Sequence, residues 1–512
     1  MIRFGTIAAF ALAATIGSAH AAEPLGYDEA RHLLVRTGFG AADADVRAYA
    51  PLTRAQAADR LLVAARTTAI TPPPPSALDT APLRPPRGDA SAAERKAFVQ
   101  QQIREGLELR GWWAQEMLVT PSPLTERMTL FWHNHFVSSQ QKVRVARLMY
   151  RQNALLREHA LGEFGTLLHA AAKDPAMVIY LDGAQNRRGS PNENFAREVM
   201  ELFTLGEGHY GEQDIKEAAR AFTGWSVDRE SGTFMFRRGL HDDGVKTVLG
   251  RSGRLDGDAV LDILLARPET APFIVTKLWR EFVSPDPDPG EVARIAVAFR
   301  ASNYRIKVAL RELLMSDAFY AAGNRGTLVK SPIELTVGTL RTLGLAPAQA
   351  LPFAVAATGM GQNLMSPPNV KGWPGGEAWI NTNTLLARKQ FLERLARSDD
   401  APTAMSTAMP RTPDAGDVRA PPRQAVQPNG VDTDADKLRL QRFVQAMDRG
   451  VRNLHFDAAA FVAQFPGATP TDKAAAAQRL LLPLPAVTPL PDDADASTLV
   501  RATLLDATFQ LK

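Results

Sequence analysis

The stretch Pro191–Trp225 reads PNENFAREVMELFTLGEGHYGEQDIKEAARAFTGW. Its apolar side chains recur at helical spacing, which predicts two amphipathic helices, Asn192 to Leu205 and Asp214 to Trp225. On the first, Phe195, Ala196, Val199, Leu202 and Phe203 form the apolar face, and Asn194, Arg197, Glu198 and Glu201 form a polar stripe at i, i+3, i+4 and i+7. On the second, Ile215, Ala218, Ala219 and Phe222 form the apolar stripe, with Glu217, Arg220 and Thr223 along another side. Between them GEGHYG, Gly206 to Gly211, has the letters of a G-x-G-x-x-G loop. A dinucleotide site needs that loop to follow a strand, and here a helix precedes it, so these glycines read as a cap and a turn.

Helical periodicity continues outward on both sides. Towards the N-terminus, two short helices lie between Tyr27 and Ala65, broken at Gly38 to Gly40. Ser91 with Glu94 forms a capping box that opens a long helix to Leu118, and Ser122-Pro123 opens the next. Helices follow at Val143 to His159 and Glu163 to Ala172, where Asp174-Pro175 ends the run. Towards the C-terminus, RRGLHDDGVKTVLGR reads as a loop, and helical patterns return over 256–282, 290–319, 332–343, 347–357 and the last part of the chain. The interruptions are a Pro-rich connection over 67–90, the Gly/Pro-rich stretch 361–388 and a Pro-, Ala- and Asp-rich segment over 398–434.

The predicted fold is therefore all-α: one large multi-helical domain with irregular Pro/Gly-rich loops and at most minor β. The predicted division is a signal peptide over 1–21, a main helical domain over 22–397 that contains the 67–90 linker, a disordered insert over 398–434, and C-terminal helices over 435–512 packed on the main domain. The first segment carries Arg3, an apolar run from Thr6 to Ile16, and Ala19 and Ala21 around His20, the pattern of a cleaved export signal. Export would place the protein in the periplasm or outside the cell. No later run is long enough to span a membrane.

Composition excludes several classes. The 512 residues include no cysteine, so disulfides and thiolate chemistry are absent. A formal net charge of +4, spread along the chain, points to no nucleic-acid partner. Neither a nucleophile elbow, a phosphate-binding Walker loop, an HExxH zinc helix nor an EF-hand occurs.

Two readings of the polar stripe stand side by side. In one it is a solvated face with Glu193–Arg197 and Arg197–Glu201 ion pairs. In the other, Glu198 and Glu201, with Asn194, line a cleft as acid and base or as ligands of a divalent metal ion. Phe131-Trp132-His133-Asn134-His135-Phe136 adds imidazoles. His135 shares a face with Phe131 and Trp132 and suits a buried role, whereas His133 lies towards Glu126 and Thr129 and suits solvent or a cleft. The loop His241-Asp242-Asp243-Gly244 offers further metal donors, with an Asx turn as the plainer alternative. The candidate set is thus Glu198, Glu201 and His133 for catalysis and Glu198, Glu201, His241 and Asp242 for a metal. Asn194, Arg197, Trp373 and Trp379 are candidates for other binding, the tryptophans as sugar-stacking rings if exposed.

The signature and a series of further blocks, ARHLLVRTGFG, LTERMTLFWHNHF, DPAMVIYLDG, HDDGVKTVLG, KSPIELTVGTLRTLG, MGQNLMSPPNVKGWPGG and AWINTNTLLAR, resemble in order the exported bacterial family catalogued as domain of unknown function 1800. The resemblance implies an exported, mainly helical protein, often encoded beside a sulfatase-like exported family, domain of unknown function 1501. It transfers no catalytic residue. The resulting expectation is a metal-dependent hydrolase of an envelope or extracellular polymer. Its rivals are a non-enzymatic partner or maturation factor of the sulfatase-like protein and a glycan-binding protein.

Overall fold

Polar residues start the helices where local sequence dictates. Thr53, Ser91, Ser331, Asn381 and Thr469 each close a reciprocal capping box with the residue three positions on, opening helices Arg54–Val63, Ala92–Val119, Pro332–Thr342, Thr382–Ala396 and Pro470–Leu481. Asp174, Asp256, Asp288, Asp457 and Asp495 cap five more with a side-chain oxygen. Each cap satisfies amides that the helix itself leaves without acceptors.

The computed structural model describes residues 23–81, 83, 88–397, 434–490 and 494–512. The predicted signal peptide over 1–21 and nearly all of the predicted insert over 398–434 lie outside them. Helix of one kind or another makes up 61% of the described residues, and the only sheets among them are two-stranded. The fold is all-α with minor β, as the periodicity predicts. The first hairpin starts on the signature's last residue and the second follows it: Trp225–Val227 pairs antiparallel with Phe234–Phe236, and Lys246–Val248 with Arg251–Gly253. The second begins within the segment read as loop and runs two residues past its end, and Trp225, read as the end of a helix, begins the first. No helix among the described residues is long and apolar enough to cross a membrane.

Three helices, not two, fill the first segment: Gly26–Thr37, Asp43–Tyr49 and Arg54–Val63. The long helix Ala92–Val119 buries Leu109, Trp112, Trp113 and Met117 in its C-terminal half, while Val99 and Ile103 stay exposed in its N-terminal half. Beside it, helix Pro123–His135 is buried along nearly its whole length. That burial encloses charge. Glu126 receives both Arg157, at 2.5 and 2.9 Å, and the Trp113 indole N–H at 2.9 Å, so neither ion is left uncompensated in the interior. One hydrophobic core runs from Leu25 to Phe509 and includes side chains of the C-terminal helices, such as Phe461, Leu480 and Leu504.

Candidate functional site

The signature departs from a uniform α-helix at its centre. Glu193–Glu198 is α-helical, capped by Asn192, but Val199–Thr204 is a π-helix, with the Leu205 amide bonded to the Met200 carbonyl at 2.8 Å. Distant side chains hold the widened turn. Lys277 donates to the Leu202 carbonyl at 2.9 Å and to His135 Nδ1 at 3.0 Å, and His135 Nε2 donates to the Phe203 carbonyl at 3.2 Å. An imidazole accepting at Nδ1 must be neutral, consistent with burial and Lys277 pushing its pKa well down. Burial likewise lowers the Lys277 ammonium to about 8. π-Helical turns are uncommon and concentrate at functional sites.

Glu198 and Glu201 lie on either side of the α-to-π junction. Their environments differ. Glu201 accepts the Tyr210 hydroxyl at 2.8 Å. The half-buried Glu198 carboxyl has no hydrogen-bond or ion-pair partner among the described residues, and burial, then the charge of Glu201, raises its pKa, against lowering by Lys371 and Arg197. Tyr180 lies near it, its hydroxyl pushed up by burial and by Glu198. Asn194 steadies that side of the site by donating to the Leu181 carbonyl at 3.3 Å, and Lys142 pairs with Asp182 at 2.8 Å beside the Tyr180 ring.

Lys371 comes from the Gly/Pro-rich stretch, which helix Pro123–His135 anchors. The Asn134 side chain accepts the Trp373 amide at 2.7 Å and donates to its carbonyl at 3.4 Å. Gly372, at φ 83°, makes the approach possible: a Cβ there would lie 2.2 Å from Asn134 Oδ1 and 2.7 Å from the Asn134 carbonyl oxygen. The arrangement joins an unpaired carboxyl, a second carboxylate held by a phenol, a further phenol and an exposed ammonium.

The family described as "Protein of unknown function (DUF1800)" matches residues 32–510 of the chain. The chain belongs to the DUF1800 family. No curated protein and no solved structure matches it.

The other predicted site residues of this DUF1800 protein take different positions. His133, expected to face solvent or a cleft, is fully buried, and both ring nitrogens lack partners among the described residues. Its ring lies between Trp113, 5.4 Å away, and Trp373, 5.7 Å away, and burial lowers its pKa to about 4. The helix buries its whole circumference, so the side that looked polar in sequence also faces protein. His241 is buried, with Nδ1 2.9 Å from the Thr223 carbonyl and its ring against Phe236. Asp242 takes a two-pronged contact from Arg220 at 2.8 and 3.2 Å and accepts the Gly244 amide in an Asx turn. Arg220 holds its carboxyl near 2. Loop ordering explains both residues.

Among the described residues no three His, Cys, Asp or Glu side chains converge as metal ligands, so Glu198, Glu201, His241 and Asp242 do not make the predicted metal centre. The predicted Arg197–Glu201 pair is also absent: Arg197 bridges Glu193 at 3.4 Å and Glu212 at 2.8 Å, while Glu201 turns to Tyr210. Trp373 and Trp379 are both buried, which removes their ring faces as sugar platforms. Tyr180, Tyr210 and Lys371 were not among the predicted site residues. Tyr180 and Lys371 stand in the blocks DPAMVIYLDG and NVKGW, whose contact with the distant signature is set by tertiary packing, whereas Tyr210 lies in the signature's own GEGHYG turn, nine residues from Glu201.

Proposed function

We propose that this protein is an exported hydrolase whose chemistry is metal-independent acid–base catalysis by Glu198 and Glu201. One observation carries the reading: two neighbouring carboxyls occupy different environments, one unpaired with a raised pKa, the other hydrogen-bonded. Such a division separates acid from base. Protonated Glu198 gives its proton to the leaving atom as the scissile bond breaks. Glu201 takes a proton from the attacking water as the new bond to oxygen forms, and that proton returns to Glu198 through solvent. Tyr180 and Lys371 orient polar groups of the substrate. An open, polar setting on an exported protein suits a polymer of the envelope or the surroundings better than a small apolar metabolite. The alternative, an assistant to a sulfatase-like protein, draws no support from Arg197, whose charge is already closed by Glu193 and Glu212.

The test is hydrolysis of a panel of peptidoglycan, polysaccharide and polyester substrates by the purified protein after treatment with chelator. Activity should survive the chelator and fall about 10²- to 10⁴-fold in both Glu198→Gln and Glu201→Gln. A chelator-sensitive activity, or one that Glu198→Gln leaves intact, refutes the proposal.

A further inference from the structure

A second site lies away from the glutamates, where helix Gly26–Thr37 meets helix Pro470–Leu481 and the segment that follows it. These elements enclose a cleft of about 330 Å³, within the range of small-ligand sites. One wall is apolar and proline-rich, over residues 482–486. The other presents the guanidiniums of Arg31, Arg325 and Arg479 and one carboxylate, Asp28, leaving an excess of positive charge.

The arginines are not consumed by the fold. Arg31 is 6% exposed, and its one hydrogen bond among the described residues runs from Nε to the Leu480 carbonyl at 2.6 Å. Among the described residues it has no ion pair and its terminal nitrogens have no acceptor. A buried cation without a counter-ion is costly unless something supplies one. Arg325 likewise makes no ion pair among the described residues, and its Nε is buried without a partner. Arg479 alone is neutralised, by Asp28 at 2.6 and 2.9 Å. His32, donating from Nε2 to the Phe319 carbonyl, is held neutral by burial and adds no charge.

We propose that this cleft binds a small organic oxyanion, its carboxylate, phosphate or sulfate head forked by Arg31 and Arg325 and its apolar body lying on residues 482–486. Guanidiniums match such heads with paired N–H donors. Asp28, paired with Arg479, also acts through space on Arg31 and Arg325 and so limits affinity for an anion there. The site shares no residue with the glutamate pair and does not depend on it.

Isothermal titration with benzoate, phenyl phosphate, phenyl sulfate and inorganic phosphate, at ionic strength held constant with sodium chloride, tests the assignment. At least one phenyl-bearing probe should bind at one site per chain with a millimolar or better dissociation constant, tighter than inorganic phosphate. The best probe identifies the head group. Arg325→Gln should weaken that binding about tenfold or more without lowering the melting temperature, and Asp28→Asn should tighten it several-fold. Glu198→Gln should not alter it. Absence of saturable binding by all four probes, or affinity unchanged from the wild-type protein in Arg325→Gln and Asp28→Asn, overturns the proposal.

Discussion

At the scale of single residues, the informative groups are those whose surroundings oppose their charge. Glu198 is half-buried, without a partner among the described residues and beside another carboxylate, an arrangement that disfavours its ionised form and serves stability poorly. Glu198→Gln removes that repulsion at almost constant shape, so the melting temperature should rise or hold while activity is lost. A clear fall in melting temperature would show that Glu198 is a structural residue. Asp174 gives a second residue-level prediction. Its carboxyl is enclosed, accepting the Met177 amide and the Gln152 amide group, each at 3.0 Å. Burial outweighs those bonds and pushes its pKa from the ordinary 3.8 up to about 7. Between those two values the folded chain holds a proton that the unfolded chain has released, so stability falls as pH rises from about 4 to about 7, by at most about 4 kcal/mol. Asp174→Asn removes the titration and keeps an acceptor for Met177. Urea midpoints across this pH window should decline in the wild-type protein and flatten in the variant.

At the scale of elements, what could be read from sequence follows the range of the forces involved. Caps and periodicity are local, which is why the Ser91–Glu94 box, the Pro123 start and the start of the helix over 332–343 were predictable from a few neighbouring residues. The π-helical turn was not. Its carbonyls are claimed by Lys277 and His135, remote in sequence, and ordinary helical spacing assigned Asn192 to Leu205 a single α-helix. The same limit hid Tyr180 and Lys371, each recognisable as a polar residue but not as a neighbour of Glu198. Lys277→Met tests the origin of the turn. It leaves the Leu202 carbonyl and His135 Nδ1 without their donor, which should cost about 1–3 kcal/mol. If Lys277 holds the turn open, hydrogen exchange should accelerate at the Leu205 amide, the donor of the π-type bond, more than across helix Glu212–Ala221. Uniform exchange changes would mean that the π geometry is set by packing alone.

At the scale of the whole molecule, distant parts of the chain meet on one buried carboxylate. Glu334, at the start of helix Pro332–Thr342, receives Arg127 from helix Pro123–His135 and Lys512 at 2.5 Å, and also accepts the Ser331 amide at 2.8 Å. Arg127 in turn binds Glu281 at 2.6 Å, on helix Thr270–Phe282. The backbone reinforces this junction, since Val329 bridges Leu511 and the Lys512 amide donates to the Leu328 carbonyl. Burial by itself would raise the Glu334 carboxyl, but Arg127 and Lys512 overcome it and hold the pKa near 2, while burial lowers Lys512 to about 8. A carboxyl depressed from the ordinary 4.5 contributes stability that is complete above that value and disappears as pH falls towards 2. Removing its charge strands the buried Lys512 and leaves Arg127 with Glu281 alone, and breaking such a network from one side typically costs about 3–5 kcal/mol. Glu334→Gln should therefore lower the urea midpoint at pH 7 sharply and abolish part of the acid sensitivity below pH 4.5. Joint replacement of Glu334, Arg127 and Lys512 by apolar residues of similar volume should recover much of the loss, because the stranded charges go with it. Glu281 would then keep its charge but lose Arg127, and its partial exposure lets water solvate it. A triple variant no more stable than Glu334→Gln would mean that the junction depends on the shape and hydrogen bonds of these side chains rather than on the balance of their charges.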